Sequence, residues 1–184
     1  MASVNPPICN FNWQAPDFDL LGVDGQRYNL QNSRGKHGLL VMFISNHCPY
    51  VQAIRSRLVA DVAALQAIGV NTIAIASNDV IAYPADNFEH MQQVAQDHHF
   101  SFPYVLDETQ KTAKAYEAVC TPDFFGFNAN LQLQYRGRFD ESRRETSSGS
   151  SRDLFKAMQL IADTGKGPSE QIASIGCSIK WRSV

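Results

Sequence analysis

FISNHCPYV, residues 43–51, places a lone cysteine where an apolar strand passes into a helix. GLLVMFIS, residues 38–45, is a continuous apolar run, which is typical of a strand buried on both faces. From Pro49, apolar residues recur at intervals of three and four, which predicts a helix ending near Ala67 with one apolar face. These residues are Val51, Ile54, Leu58, Val62 and Leu65. Pro49 itself suits the first helical turn, where no amide donor is needed.

A second apolar run, VNTIAIAS at residues 70–77, follows Gly69. The order strand, helix, strand predicts a right-handed crossover between two parallel strands. This unit decides the fold class, because parallel strands joined by helices form a sheet that helices cover on both faces.

The rest of the chain adds antiparallel strands and further helices. Asp24-Gly25 predicts a small N-terminal β-hairpin, and residues 120–139 predict a second hairpin that turns at residues 128–130. Further elements are helices over 85–97, 108–118 and 151–164 and an extended piece over 100–107. The sequence therefore predicts an α/β fold with a mixed central sheet: an arm over 1–14, one domain over 15–164, and a tail over 165–184 that packs on the domain.

Composition excludes several classes of partner. The chain has 184 residues, 44% hydrophobic and 18% charged, with a formal net charge of −2. Near-neutral charge argues against nucleic acid or an acidic membrane as the main partner, and no stretch approaches the ~18 apolar residues of a membrane span. The N-terminus lacks a basic segment followed by an apolar run, so we expect no signal peptide and a cytoplasmic location.

The four cysteines, at positions 9, 48, 120 and 177, are far apart and form no CxxC pair. A structural zinc site is therefore not expected, and we predict neither a metal nor a cofactor. A permanent disulfide framework is also not expected in a reducing compartment. The simplest interpretation of any one of them is a small buried apolar residue.

Several separated motifs resemble one family. They are APDFDL, VDGQRYNL, RGKHGLLVMF and the Cys-Pro helix start, then SND, YPADNFEHM, FPYVLDETQKTAKAYEAVCTPDFFGF, YRGRFDESR and the tail SIGCSIKW. In this order they resemble the thioredoxin superfamily, in particular its peroxiredoxin-like group with a CNHCPYV-type active site. The resemblance covers roughly residues 15–184 and implies a thioredoxin-like fold and thiol-based redox chemistry.

The chain departs from that pattern in four ways. Peroxiredoxins carry a proline seven residues before the reactive cysteine, where this chain has Val41. They carry a threonine or serine three residues before it, and Ser45 keeps that hydroxyl. No arginine matches the family's arginine on a later strand. Val51 stands where a dithiol thioredoxin has its second cysteine. Ser45 also stands where members of the subgroup often have a further cysteine.

Cys48 is the predicted nucleophile. It stands at the predicted start of a helix, where unpaired amide donors and the positive end of the helix dipole favour the thiolate. His47 and the Ser45 hydroxyl add to this by charge or hydrogen bonding. We expect Cys48 to be ionised at neutral pH and accessible to solvent; the alternative is a buried cap residue.

The resemblance implies that Thr121-Pro122 is a cis peptide packed over the sulfur, where it binds substrate together with Pro49. Cys120 has two interpretations: a resolving thiol, or a core residue that faces away because side chains alternate along an extended segment. Cys177 likewise is either a resolving thiol on a movable tail or a buried anchor. Arg143 is a candidate for positive charge near the sulfur, and the alternative is a solvated surface residue.

Three functions follow from these residues. The first is peroxide reduction, in which Cys48 becomes a sulfenic acid that Cys177, Cys120 or an external thiol resolves. The second is thiol–disulfide exchange of the thioredoxin or monothiol glutaredoxin kind. The third is a non-catalytic redox sensor or binding module. The expected partners are a peroxide or disulfide substrate, a thiol reductant of the thioredoxin or glutathione type, and a second copy of the chain in a homodimer.

Overall fold

The structure is a computed structural model that describes residues 3–142 and 151–183. Its strands are β1 Ser3–Val4, β2 Asp19–Gly22, β3 Arg27–Asn29, β4 Gly38–Phe43, β5 Val70–Ala76, β6 Tyr104–Leu106, β7 Cys120–Thr121, β8 Asp123–Asn128, β9 Leu133–Tyr135 and β10 Gly176–Ser178. Its helices are α1 Leu30–Ser33, α2 Pro49–Ala67, α3 Phe88–Asp97, α4 Lys111–Ala115 and α5 Asp153–Thr164, with a 3₁₀ turn at Pro84–Asp86.

Seven strands form the central sheet, in the order β3-β2-β6-β5-β4-β8-β9. Strands β4, β5 and β6 are parallel, and the other neighbouring pairs are antiparallel. The predicted strand–helix–strand unit is confirmed: β4 and β5 pair from Gly38 with Val70 to Phe43 with Ile75, and α2 joins them over the predicted residues.

The two faces of the sheet carry separate apolar cores. Every residue of β4 is buried, and its side chains alternate between the faces as a strand requires. Leu40 and Met42 pack with the apolar stripe of α2 and with α5. Leu39, Val41 and Phe43 pack on the other face with an aromatic cluster of Tyr116, Phe125 and Phe127.

Three predicted helices are shorter than their periodicity suggested, and the one predicted over 151–164 differs least, because it begins at Asp153. The helix predicted over 85–97 begins at Phe88, because the Asn87 side chain accepts a hydrogen bond from the His90 amide and caps it there. The helix predicted over 108–118 contracts to α4, because Gln110 has a left-handed backbone conformation. The Asp107 carboxylate accepts a hydrogen bond from the Ala113 amide at 2.8 Å and holds this start in place.

A second, three-stranded sheet forms beside the first, in the order β1-β10-β7. It joins the two ends of the chain to the segment before Pro122, with Ser3 opposite Cys177 and Cys177 opposite Thr121. The sequence analysis predicted a tail packed on the domain but not this sheet. Strands of two or three residues are too short to show an alternating pattern.

Candidate active site at Cys48

The end of β4 and the start of α2 position Cys48. The residue is the N-cap of α2, with an extended backbone (φ −73°, ψ 119°), and Pro49 occupies the first helical turn. The Cys48 carbonyl accepts the Gln52 amide at 2.9 Å, while its side chain makes no capping hydrogen bond. The thiol therefore lies at the positive end of a helix of 19 residues without being used as a cap.

The Cys48 thiol is directed at the segment before Pro122. Sγ donates to the Thr121 carbonyl oxygen at 3.0 Å. The Thr121–Pro122 peptide is cis, in agreement with the resemblance, and Asp123 pairs with Phe43 across β8 and β4. The Cys-Pro helix start and the Thr-Pro segment, 73 residues apart, thus meet at one end of the sheet.

The prediction that solvent reaches Cys48 is wrong, because its relative exposure is 0%. Cys48 is buried because segments that are distant in the sequence pack around it. Strand β10 pairs with β7 and packs on α2, and Cys177, Tyr50 and Phe124 belong to the same buried apolar cluster as Cys48. The tail of the chain is therefore part of the packing around the sulfur.

Cys120 and Cys177 both lie beside this site. All four cysteines are within the described residues, and none forms a disulfide. Burial raises the pKa of Cys120 well above its ordinary value, and the nearby Asp123, Cys48 and Cys177 add to this, against an opposing effect of Arg136.

The register of β10 on β7 separates the two candidate resolving cysteines. Cys177 is opposite Thr121, whereas Ser178 is opposite Cys120. Because side chains alternate along a strand, Cys177 lies on the same face of the small sheet as the Thr121 side chain, and Cys120 lies on the other. The Cys120 thiol donates to the Pro122 carbonyl at 3.6 Å.

Ser45 and His47 flank the loop before Cys48. Ser45 is buried, and its hydroxyl has no hydrogen-bond partner among the described residues. The His47 ring stacks on Tyr83 with 5.6 Å between centroids. Its Nδ1 lies 2.9 Å from Oδ2 of Asp86, but the geometry is not that of a directed hydrogen bond.

The sequence analysis missed Asp86 and Asn46, which hold this loop. The Asp86 carboxylate is fully buried and accepts the Asn46 amide and the Asn78 side-chain amide, both at 2.7 Å. The Asn46 carbonyl in turn accepts Gln52 Nε2 at 2.9 Å and Arg55 Nη2 at 3.0 Å. The resemblance of the SND and YPADN motifs to the family was the one sequence signal for this region. Periodicity gave none, because loop residues show no repeating pattern of burial.

Arg55 is a half-buried cation that contacts this loop, and it lies off the apolar stripe of α2. Burial lowers its pKa, against an opposing effect of Tyr104. Tyr104 also contacts the loop, because its hydroxyl donates to Asn46 Oδ1 at 3.0 Å. Arg143, the arginine proposed from the sequence, lies outside the described residues.

Arg136 is a buried arginine on the opposite face of the sheet. Arg136 Nη2 pairs with Asp123 Oδ2 at 3.0 Å, both side chains being almost fully buried, and its guanidinium lies over the Phe125 ring. Burial raises the pKa of Asp123 to about 6, while Arg136 opposes this shift. Phe125 belongs to the core on the face away from the Cys48 cluster, so Arg136 does not occupy the family's position beside the sulfur.

A cavity of about 170 Å³ lies next to the site. Among its walls are Tyr50, Pro122, Phe139, Ser174 and Ile175. Within residues 3–142 and 151–183, no cluster of three or more metal-ligating side chains occurs. In the same part of the chain, no helix is both long and apolar enough to cross a membrane.

Comparison with known proteins identifies the family. A profile of the AhpC/TSA family matches residues 12–139. The chain belongs to the AhpC/TSA family. Membership of this family, with a cysteine at the start of α2, makes it a thiol-dependent oxidoreductase of the thioredoxin superfamily. No curated protein sequence matches the chain.

Two solved structures resemble this AhpC/TSA member along nearly their whole length. A protein from Geobacillus kaustophilus, described as an uncharacterized conserved protein, is 38% identical with a TM-score of 0.94, and the alignment covers 100% of this chain and 98% of the other. A hypothetical protein from Sinorhizobium meliloti 1021 is 34% identical with a TM-score of 0.93, over 98% and 99% of the two chains.

A more distant structure agrees in fold alone. The thioredoxin domain of a thiol-disulfide oxidoreductase from Bacteroides vulgatus is 15% identical, with a TM-score of 0.64 over 83% of this chain and 97% of the other. It supports the predicted thioredoxin-like architecture and carries no conclusion about the reaction.

Proposed function

We propose that this AhpC/TSA member reduces a peroxide through Cys48 and resolves the oxidised cysteine with Cys177. The observation that carries the proposal is the meeting of both residues at Thr121. Cys48 Sγ binds the Thr121 carbonyl, and Cys177 lies opposite Thr121 in the antiparallel register. A nucleophilic thiol and a second thiol that both lie next to Thr121 suit a reaction that ends in a disulfide between them.

The chemistry has two steps. In the first, the Cys48 thiolate attacks one oxygen of the peroxide; the O–O bond breaks, the sulfur becomes a sulfenic acid, and the other oxygen leaves as water or an alcohol once protonated. In the second, the Cys177 thiolate attacks the sulfenic sulfur and releases water, which leaves a Cys48–Cys177 disulfide. An external dithiol of the thioredoxin type, or two molecules of glutathione, reduces this disulfide.

Ser45 supports the first step. A buried hydroxyl without a partner costs about 1–3 kcal/mol, so a hydrogen-bond acceptor that appears only during the reaction accounts for its presence. We assign that role to the peroxide oxygen or to the thiolate three residues away. The Thr121 carbonyl is an acceptor only and stabilises the Cys48 thiol, so a side-chain donor to the thiolate must come from elsewhere, and the Ser45 hydroxyl is one that the loop offers.

Cys177 is a better resolving thiol than Cys120 on two grounds. It lies on the Thr121 face of the small sheet, whereas Cys120 lies on the other. Burial and neighbouring acidic groups also disfavour the Cys120 thiolate, which is the attacking form. Cys120 is then the core residue that side-chain alternation predicted.

The test combines rapid oxidation with disulfide mapping. After one equivalent of hydrogen peroxide, we expect mass spectrometry to find a Cys48–Cys177 disulfide in the wild type and in Cys120→Ser. In Cys177→Ser the sulfenic acid should persist and react with a dimedone-type probe. A Cys48 that oxidises no faster than free cysteine contradicts the peroxidase proposal, and a disulfide to Cys120 contradicts the assignment of Cys177.

Thiol–disulfide exchange is the second candidate, and the pairing of β10 with β7 favours it. This pairing presents the cysteine of an extended segment to the residue before Pro122, as a mixed disulfide with a polypeptide would require. Reduction of insulin or of a glutathione mixed disulfide measures this activity. Turnover of these substrates together with a peroxide rate equal to that of free cysteine would make exchange the function.

A cytoplasmic location and an antioxidant role accompany this proposal, because the cycle needs a compartment that returns the disulfide to thiols. Localisation of the tagged full-length chain and survival of a deletion strain under peroxide measure the two points.

A further inference from the structure

The segment over residues 174–182, which we call the strap, lies beside the Cys48 site. Its central part, β10, pairs with β7 on one side and with β1 on the other. The Ser174 hydroxyl donates to the Pro122 carbonyl at 2.8 Å before the strand. After the strand, the Ile179 amide donates to the Val119 carbonyl at 3.0 Å. Both ends of β10 are thus tied to the segment that contains Thr121.

The strap continues onto the loop that follows β5. The Lys180 amide donates to Asn78 Oδ1, and the Lys180 carbonyl accepts the Asp79 amide, each at 2.8 Å. Asn78 also donates to Asp86, which holds the loop before Cys48. The strap therefore rests on the same polar network that positions Cys48.

Gly176 decides whether this strap fits. A Cβ at position 176 would lie 2.1 Å from the Thr121 carbonyl oxygen and 2.6 Å from the Thr121 carbonyl carbon, against 3.4 Å for an ordinary contact. The atoms it would meet belong to backbone, which side-chain rotation does not move. The same Thr121 oxygen accepts the Cys48 thiol.

We propose that residues 174–182 form a displaceable strap over Cys48, and that Gly176 is the positioning residue that seats it with Cys177 opposite Thr121. The strap must leave before an oxidant reaches Cys48, and it must return for Cys177 to form the disulfide. The return step rests on the proposed function of Cys177, whereas the closing of the site over Cys48 does not.

A separate peptide can take the position of the strap on β7. Because the contacts of β10 with β7 are those of an antiparallel pair, a separate peptide with the sequence of residues 174–180 offers the same backbone groups. In a chain whose own strap no longer fits, this peptide should take its place, provided that its third residue is glycine.

Alkylation of the full-length chain by iodoacetamide, followed by mass spectrometry of Cys48, tests the proposal. We expect the wild type to react slowly and Gly176→Ala to react roughly tenfold faster or more, because the strap spends more time detached. A peptide of residues 174–180 with serine in place of the cysteine should restore protection to Gly176→Ala. The same peptide with alanine in place of its glycine should not.

Gly167→Ala is the matched control. A Cβ at Gly167 would lie 1.9 Å from the Gln134 carbonyl oxygen, so this substitution disturbs the tail as severely but away from β7. We expect it to leave Cys48 protected. Equal exposure of Cys48 in both variants, or exposure in Gly176→Ala that the glycine peptide does not reverse, would overturn the proposal.

Hydrogen exchange of the wild type keeps the proposal testable even if Gly176→Ala does not fold. The fraction of time for which the Ile179 amide is open should equal the fraction for which Cys48 can be alkylated. Alkylation much faster than this opening allows would mean that reagents reach Cys48 through the neighbouring cavity with the strap in place. These measurements report only the access of reagents to Cys48. A slow reaction with peroxide would therefore contradict the proposed function but not the proposal about the strap.

Discussion

Asp86→Asn is the substitution that best tests how the loop before Cys48 is held. The carboxylate oxygens accept the Asn46 amide and the Asn78 side-chain amide, each at 2.7 Å, and lie 2.9 Å from His47 Nδ1. An asparagine has one acceptor oxygen, so its NH₂ group must take the place of one carboxylate oxygen. It then faces either the Asn46 amide, at the position of Oδ1, or the Asn78 side-chain amide, at the position of Oδ2. At least one of these contacts is lost at a fully buried position.

The magnitude follows from these contacts. A hydrogen bond to a charged group is worth about 1.5–3 kcal/mol, and a buried donor left unpaired costs about 1–3 kcal/mol. Part of this is offset because the variant no longer buries a charge, so we expect a net loss of about 2–3 kcal/mol in the free energy of unfolding. For a chain of this length that corresponds to a melting temperature lower by roughly 5–10 °C.

Urea unfolding of wild type and variant measures this loss, with Asp163→Asn, a change at an exposed carboxylate, as the control. An unfolding free energy within about 0.5 kcal/mol of the wild type, which is the usual range for surface changes, would refute the view that Asp86 holds the loop.

Two further predictions concern buried polar groups near the site. Burial raises the pKa of Asp123 from 3.8 to about 6, so the folded state holds its proton more tightly than the unfolded state, and this carboxyl contributes stability below pH 4 that is lost as the pH rises through 6. The loss of stability is on the order of 3 kcal/mol. The difference in urea midpoint between wild type and Asp123→Asn should therefore change as the pH rises from 4 to 7. A difference that stays constant over this range would contradict the raised pKa of Asp123. Ser45→Ala removes a buried hydroxyl without a partner among the described residues, so it should stabilise the fold by about 1 kcal/mol while slowing oxidation of Cys48 by peroxide roughly tenfold or more. Stopped-flow oxidation and thermal unfolding measure the two effects, and a variant that loses stability would show that Ser45 has a structural partner.

The strand–helix–strand unit around Cys48 was predictable because its determinants are local. A continuous apolar run predicted β4, a stripe at intervals of three and four predicted α2, and Pro49 marked where the helix begins. Each of these patterns lies within a stretch shorter than 20 residues and reflects which face of one element is buried. The location of Cys48 at the start of a helix needed no knowledge of the rest of the chain.

The boundaries of other elements depended on capping that the periodicity did not contain. Asn87 starts α3 later than predicted, and the left-handed conformation of Gln110 shortens α4. Asp86 was not identified as a structural residue, because its partner Asn46 is 40 positions away. A sequence pattern reports the burial of a residue, not which distant residue it meets.

By itself, the sequence determined that this chain forms a thioredoxin-like α/β fold with a cysteine at the positive end of its main helix. Only the tertiary structure decided that the cysteine is buried and that Cys177, 129 positions later in the chain, is brought to Thr121. The physical reason is that the small sheet forms between segments too short to carry a pattern. It exists because Gly176 lets two backbones approach closely, and this is a property of the pair and not of either segment alone.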